Sequence, residues 1–217
     1  MKRKFVLFFL FMLQISLYGQ KEVVIDTTKT NFPQRKLNGF LSLINDFTLN
    51  DNQQFASAGM GVAFLFANKF YIGGYGLGLI SVLHRSDVLA DNKMENYHLN
   101  YAHGGLWLGI IDSPCKKNQA SISLKIGWGA LFMNDVNNTI NYNAYRDEFL
   151  IITPQFEIGV LITNWLRADL GLGVRFLSGI STFYKDSNGN MSLVYHSSDF
   201  EGFISSLRLS FGSFCYK

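Results

Sequence analysis

Between Leu166 and Ile180 the chain alternates with a period of two. Leu166, Ala168, Leu170, Leu172, Val174, Phe176 and Ile180 share one face, and Arg167, Asp169, Gly171, Gly173, Arg175 and Gly179 share the other. A helix repeats every 3.6 residues and would mix these sets, so the segment reads as a strand with one apolar face. The pattern recurs. In 120–132, Ile122, Leu124, Ile126 and Trp128 oppose Ser121, Ser123, Lys125 and Gly127. In 155–162, Phe156, Ile158 and Val160 oppose Gln155, Glu157 and Gly159. In 203–212, Phe203, Leu207, Leu209 and Phe211 oppose Ser206, Arg208 and Ser210. In 57–66, Met60, Val62, Phe64 and Phe66 oppose Ser57, Gly59 and Gly61.

Extended along the chain, this periodicity predicts eight strands, near 37–49, 55–66, 70–82, 97–112, 119–133, 149–163, 165–181 and 199–214. Most exceed the roughly 9–11 residues that a tilted strand needs to cross a bilayer. The connections at 67–69, 113–118 and 163–165 are tight, whereas those at 83–96, 134–148 and 182–198 are long and polar. Short turns on one side and long loops on the other are the asymmetry of an outer-membrane barrel. The connection near 50–54 is short and departs from it.

A soluble sandwich alternates as well, but with its polar face outward and well supplied with Lys and Glu. Here the polar face is mainly Gly and Ser, and charged residues are 16% of the chain, against about 25% in soluble domains. Small polar residues suit the cramped interior of an eight-stranded barrel, and large aliphatic ones suit lipid. The expected fold is therefore all-β, an eight-stranded antiparallel up-and-down transmembrane β-barrel. Aromatics near strand ends read as interfacial girdles: Phe70, Tyr71, Trp165, Phe211, Phe214 and Tyr216 toward one rim, and Tyr97, Tyr101, Tyr142, Tyr145 and Phe149 toward the other.

The N-terminus reads as an export signal. Lys2, Arg3 and Lys4 precede an apolar run from Phe5 to Leu13, and a small residue, Gly19, allows cleavage before Gln20. The apolar run is too short to span a membrane as a helix. This divides the chain into a signal peptide at 1–19, a flexible periplasmic lead-in at 20–36 and the barrel at 37–217. The expected location is the cell outer membrane, with outer-membrane lipid as the surrounding partner. Cys115 and Cys215 both emerge on the tight-turn side, from strands that are not neighbours, and are expected to be free thiols.

The segments Phe70-Tyr71-Ile72-Gly73-Gly74-Tyr75-Gly76-Leu77, Tyr101-Ala102-His103-Gly104-Gly105-Leu106, Pro154-Gln155-Phe156-Glu157, Thr163-Asn164-Trp165-Leu166-Arg167 and Gly173-Val174-Arg175 resemble those of a group of uncharacterised small outer-membrane β-barrel proteins of the Bacteroidetes. The resemblance spans about 37–214. It implies an outer-membrane barrel and brings no catalytic residues with it. The stretch Phe211–Phe214 also resembles the aromatic end that barrel assembly machinery recognises during insertion, although Cys215, Tyr216 and Lys217 follow it.

The candidate site is a charge cluster on the polar face: Lys125, Glu157, Arg167, Asp169, Arg175 and Arg208. Charges inside a barrel are tolerable when paired and hydrogen-bonded. Glu157 faces the same side as Arg167 and Arg175, with Arg208 alongside. The cluster reads as a salt-bridged plug, or else as a narrow charged passage or small-ligand site. His103 reads as an interior hydrogen-bonded filler. His98 and His196 lie toward the external rim, and Ser197, Ser198 and Asp199 follow His196, so a rim hydrolase acting on lipid is the enzymatic alternative. No GxSxG motif is present, and the expectation is no enzyme and no catalytic residue. Steps such as Gly171-Leu172-Gly173 lie inside strands rather than before helices, which excludes a phosphate loop. A net charge of +3 gives no case for nucleic acid. No cofactor or metal is expected. The leading role is structural, or binding of an extracellular ligand through 83–96, 134–148 and 182–198, where Asp87, Asp91, Tyr142, Tyr145, Arg146 and Asp186 are exposed by position. A soluble lipocalin-like binder of apolar ligands is the third reading, and it requires an apolar interior.

Overall fold

A computed structural model describes residues 38–50, 54–66, 69–81, 97–135, 146–185 and 191–214. Its strands are β1 (Asn38–Leu49), β2 (Gln54–Phe66), β3 (Phe70–Leu79), β4 (Tyr97–Ile111), β5 (Asn118–Asp135), β6 (Arg146–Thr163), β7 (Leu166–Ser178), β8 (Ser181–Lys185), β9 (Met191–His196) and β10 (Gly202–Gly212). β1 to β7 and β10 form a closed barrel. Each strand is antiparallel to the next, and β10 pairs with both β7 and β1. Closure satisfies every edge, which an open sheet of this size would leave exposed. The fold is the eight-stranded antiparallel up-and-down barrel that the alternation predicts.

The tight turns, the start of β1 and the end of β10 lie at one end of the barrel, here called the turn end. Lys69 N–H donates to Phe66 O at 3.0 Å, Lys116 N–H to Ser113 O at 3.0 Å, and Thr163 Oγ1 accepts from Leu166 N–H at 3.0 Å. The opposite end, the far end, carries an element that the periodicity did not indicate. Where a long loop is expected at 182–198, β8 and β9 pair as a hairpin, followed by a 3-10 turn at Ser197–Asp199. Gly179 and Gly202, with φ of +114° and +142°, stand where the chain leaves β7 and where it enters β10. These are conformations that an L side chain rarely adopts. The break at Gly179 reverses the face of the next residue, so Ile180 is buried rather than on the outer face with Leu170 and Phe176.

Outward positions are large and apolar. Leu170, Leu172, Phe203, Trp128 and Met60 are exposed, Leu172 by 69% and Phe203 by 72%. Inward positions are not merely Gly and Ser. Two aromatic-rich clusters fill the lumen. Phe40, Tyr71, Trp107 and Phe214 pack at the turn end, and Phe55, Tyr101, Phe149, Tyr195 and Phe200 at the far end. Tyr71, Tyr101, Phe149 and Phe214, expected in the girdles, are therefore interior, whereas Phe70 and Trp165 do face outward. Trp165 stacks on Phe211, with centroids 6.3 Å apart. Tyr142, Tyr145, Tyr216, Cys215, Asp87, Asp91, Asp186, residues 1–36 and the connection 83–96 lie outside the described residues, as does the side chain of Tyr97. Arg146 is exposed as expected. It opens β6 rather than lying in a loop, and it pairs with Glu148 at 2.9 Å.

Candidate functional site

All six residues of the predicted charge cluster point into the lumen and are buried. They do not form one network. The alternation on β1 places Ser42, Ile44, Asp46 and Thr48 inward, and Asp46, not anticipated as a member, divides the cluster in two.

The first group is a quartet. Arg208 on β10 grips Glu157 on β6 with both terminal nitrogens, Nη1 to Oε1 at 2.9 Å and Nη2 to Oε2 at 2.8 Å. Its Nε donates to Asp169 Oδ2 at 3.1 Å. Asp169 Oδ1 accepts from Arg167 Nε at 2.6 Å. Glu157 also accepts from Ser121 Oγ at 2.9 Å and Ser123 Oγ at 2.8 Å, and Arg167 Nη2 donates to Ser121 at 3.1 Å. Two guanidinium groups thus meet two carboxylates with their hydrogen-bonding capacity largely used. That is the condition under which burying such charges is tolerable. Arg208 also lies over Trp107, 4.9 Å from the ring centroid, which joins the quartet to the turn-end cluster.

The second group is a trio. Lys125 Nζ on β5 donates to both carboxylate oxygens of Asp46, at 2.9 and 3.2 Å. Arg175 on β7 lies 3.6 Å from Asp46 through Nη2, and its Nη1 donates to Thr48 Oγ1 at 2.8 Å. Its guanidinium carbon is 5.5 Å from the centroid of Phe55, in the far-end cluster. Arg175 therefore answers Asp46, not Glu157 as its face alone suggests. The lumen is layered along its axis: aromatic, charged quartet, charged trio, aromatic.

His103 is buried, and its Nδ1 lies 3.3 Å from the Tyr75 hydroxyl. His196 is exposed and caps the 3-10 turn: its Nδ1 accepts from Ser198 N–H at 3.3 Å, while Asp199 Oδ2 accepts from His196 N–H at 2.9 Å. These contacts brace the backbone where β9 ends. The side chain of His98 lies outside the described residues. Among the described residues no group of three or more His, Cys, Asp or Glu could hold a metal ion. Cys115 is free and exposed in the turn before β5.

A closed meander of eight strands, apolar outside and ion-paired inside, defines a class of fold: the small β-barrel of outer-membrane proteins. The solved structure of Neisserial surface protein A is similar, at a TM-score of 0.55 and 4% identity over 81% of this chain and 96% of that one. The N-terminal barrel domain of Pseudomonas aeruginosa OprF aligns at 0.49 and 9% identity, covering 81% and 96%. A major outer membrane protein of Thermus thermophilus aligns at 0.46 and 11%, covering 80% and 99%. The sequence matches no protein-family model and no curated protein.

Proposed function

We propose that this chain is a small outer-membrane β-barrel, exported behind a signal peptide cleaved near Gly19. In this reading the lumen is closed by side chains, and the barrel supports the envelope or binds a ligand through its far-end connections. The observation that carries the reading is the outer belt. Leu41, Leu43, Phe47, Met60, Val62, Phe64, Leu170, Leu172 and Phe203 are all exposed around the barrel wall. Monomeric soluble proteins rarely show contiguous apolar patches above a few hundred Å². Such a wall belongs against lipid, with the carboxylates and cations drawn inward to pair.

The ion-paired layers argue for a plug rather than an open channel, since eight strands leave an interior that side chains fill. The turn end would face the periplasm, with Phe66, Phe70, Trp165 and Phe211 at the interface. The far end, with the β8–β9 hairpin and the connections 83–96 and 134–148, would face outward. Membership among small Bacteroidetes barrels rests on the Gly-rich segments quoted above, and insertion by barrel assembly machinery on the aromatic end at Phe211–Phe214. The test is envelope fractionation followed by gel electrophoresis with and without heating. The expected result is a detergent-dependent membrane protein whose unheated form migrates apart from the heated one. Recovery of the mature protein in buffer without detergent would overturn the reading.

A further inference from the structure

The two charged layers differ in balance. In the quartet two cations meet two carboxylates. In the trio Lys125 and Arg175 share a single carboxylate, Asp46. Among the described residues the trio therefore carries one positive charge in excess; the remaining buried carboxylate, Asp199, sits in the 3-10 turn at the far end, where it accepts from His196 N–H.

The trio also contains donors with nothing to donate to. Arg175 is fully buried, yet among the described residues its Nε and Nη2 have no hydrogen-bond acceptor. Asp46 Oδ2 lies 3.6 Å from Nη2, beyond hydrogen-bond reach. A guanidinium has donors only, so it requires an acceptor from elsewhere. Neighbouring groups share the deficit. The residues close a ring of contacts across the lumen. Arg175 lies over Phe55, Phe55 meets Tyr101 at 6.0 Å, Tyr101 meets His103 at 5.3 Å, and His103 meets Tyr75 at 5.5 Å. Lys125 lies 6.0 Å over Tyr75 and closes the ring on Asp46. Within it, the Tyr101 hydroxyl and His103 Nε2 are buried and have no partner among the described residues. When Tyr75 donates to Nδ1 of His103, Nε2 carries the proton and becomes a further unused donor. Ser57, whose Oγ is likewise buried and unpartnered, stands directly across from Asp46 in the β1–β2 register.

A buried excess cation surrounded by unused donors lacks an anion. We propose that the trio binds one small monovalent anion, of chloride or bromide size, held by Arg175 with Tyr101 and His103. Water would satisfy the donors but leave the charge uncompensated, whereas a halide does both. The site does not depend on which membrane the barrel occupies, so its test stands apart from that of the proposed function.

The experiment measures the heat-modifiability midpoint of the full mature chain in a non-ionic detergent. Sodium chloride or sodium bromide is compared with sodium gluconate at constant ionic strength. The expected midpoint climbs with each tenfold increase in halide and stays flat in gluconate, as for any ligand that binds the folded state. Arg175→Gln should lose the halide response. Ser57→Asp places a fixed negative charge beside the site; it should show a raised midpoint without halide and no further response. Equal midpoints for the wild-type chain in halide and gluconate would overturn the proposal even if Arg175→Gln fails to fold. A full halide response retained in a folded Arg175→Gln or Ser57→Asp variant would overturn it too.

Discussion

Arg208 and Glu157 meet side-on across the lumen, each guanidinium terminal nitrogen bonded to its own carboxylate oxygen at 2.9 and 2.8 Å. Both groups are buried, so the energetics turn on what happens to the survivor when one is removed. Breaking a buried pair by deleting one member costs about 3–5 kcal/mol, because an unpaired charge stays behind. Glu157→Gln leaves Arg208 with Asp169 at 3.0 Å, so its cost should fall near the lower end, about 3 kcal/mol. Heat-modifiability midpoints of the purified barrel should show the loss. The double variant Glu157→Gln with Arg208→Met should recover part of it. A double variant worse than the single one by the full cost of Arg208→Met would deny the coupling.

Several inward aromatics lie over inward glycines. A Cβ built at Gly109 would collide with the hydroxyl edge of Tyr71, and one at Gly129 with the edge of the Phe149 ring. Gly109→Ala should therefore force Tyr71 from its place and cost about 1–3 kcal/mol, the usual range for overpacking. Gly76 provides the control, because a Cβ there meets nothing within 4 Å. Gly76→Ala should stay within about 0.5 kcal/mol of the parent chain. Urea unfolding midpoints of both variants in the same detergent give the comparison. The Tyr71→Ala background should remove most of the Gly109→Ala penalty.

Strand alternation was enough to read the barrel, its closure and its inward charges, because a period of two assigns faces without knowledge of neighbours. The same rule could have corrected the girdle. Phe70 and Tyr71 are consecutive on one strand and must face opposite ways, so only one of them can meet lipid. Phe214 was illegible for another reason: it follows the last ladder residue, Gly212, and turns inward to pack on Phe40 at 5.4 Å. Asp46 carried a signal, since it continues the Ser42 face of β1, but its pairing with Lys125 crosses from β1 to β5 and no local pattern encodes that. The β8–β9 hairpin had only short runs around Asn188-Gly189 to announce it, and these are weak beside the long barrel strands.

At the far end, Asn50 ties the end of β1 to the segment after β9. Its Nδ2 donates to Ser198 O at 2.7 Å and Glu201 O at 2.8 Å. Asn50→Ala removes both bonds and should loosen the return from the hairpin by about 1–3 kcal/mol, while leaving the barrel closed. Limited trypsin digestion reads this locally, at Lys185. Cleavage there should be faster in the variant, and the heat-modifiability midpoint should change little. A lower midpoint without faster cleavage would place the effect in the barrel instead.

The outer face offers the sharpest contrast between lipid and water as surroundings. Leu170 and Leu172 are both exposed on β7, with Asp169 and Gly171 turned inward on either side of Leu170. On a soluble surface, Leu170→Arg would change stability by no more than about 0.5 kcal/mol. Against hydrocarbon, an arginine near the bilayer midplane costs about 2–4 kcal/mol, falling to roughly 0–1 near the interfaces. Reversible folding into phospholipid vesicles, titrated with denaturant, should show Leu170→Arg strongly destabilised. Trp165→Arg, at the turn between β6 and β7, should be affected much less by the charge itself. The depth dependence is the informative part, because a general intolerance of arginine would penalise both positions alike. Equal effects, or none at Leu170, would mean that the apolar wall does not face a bilayer.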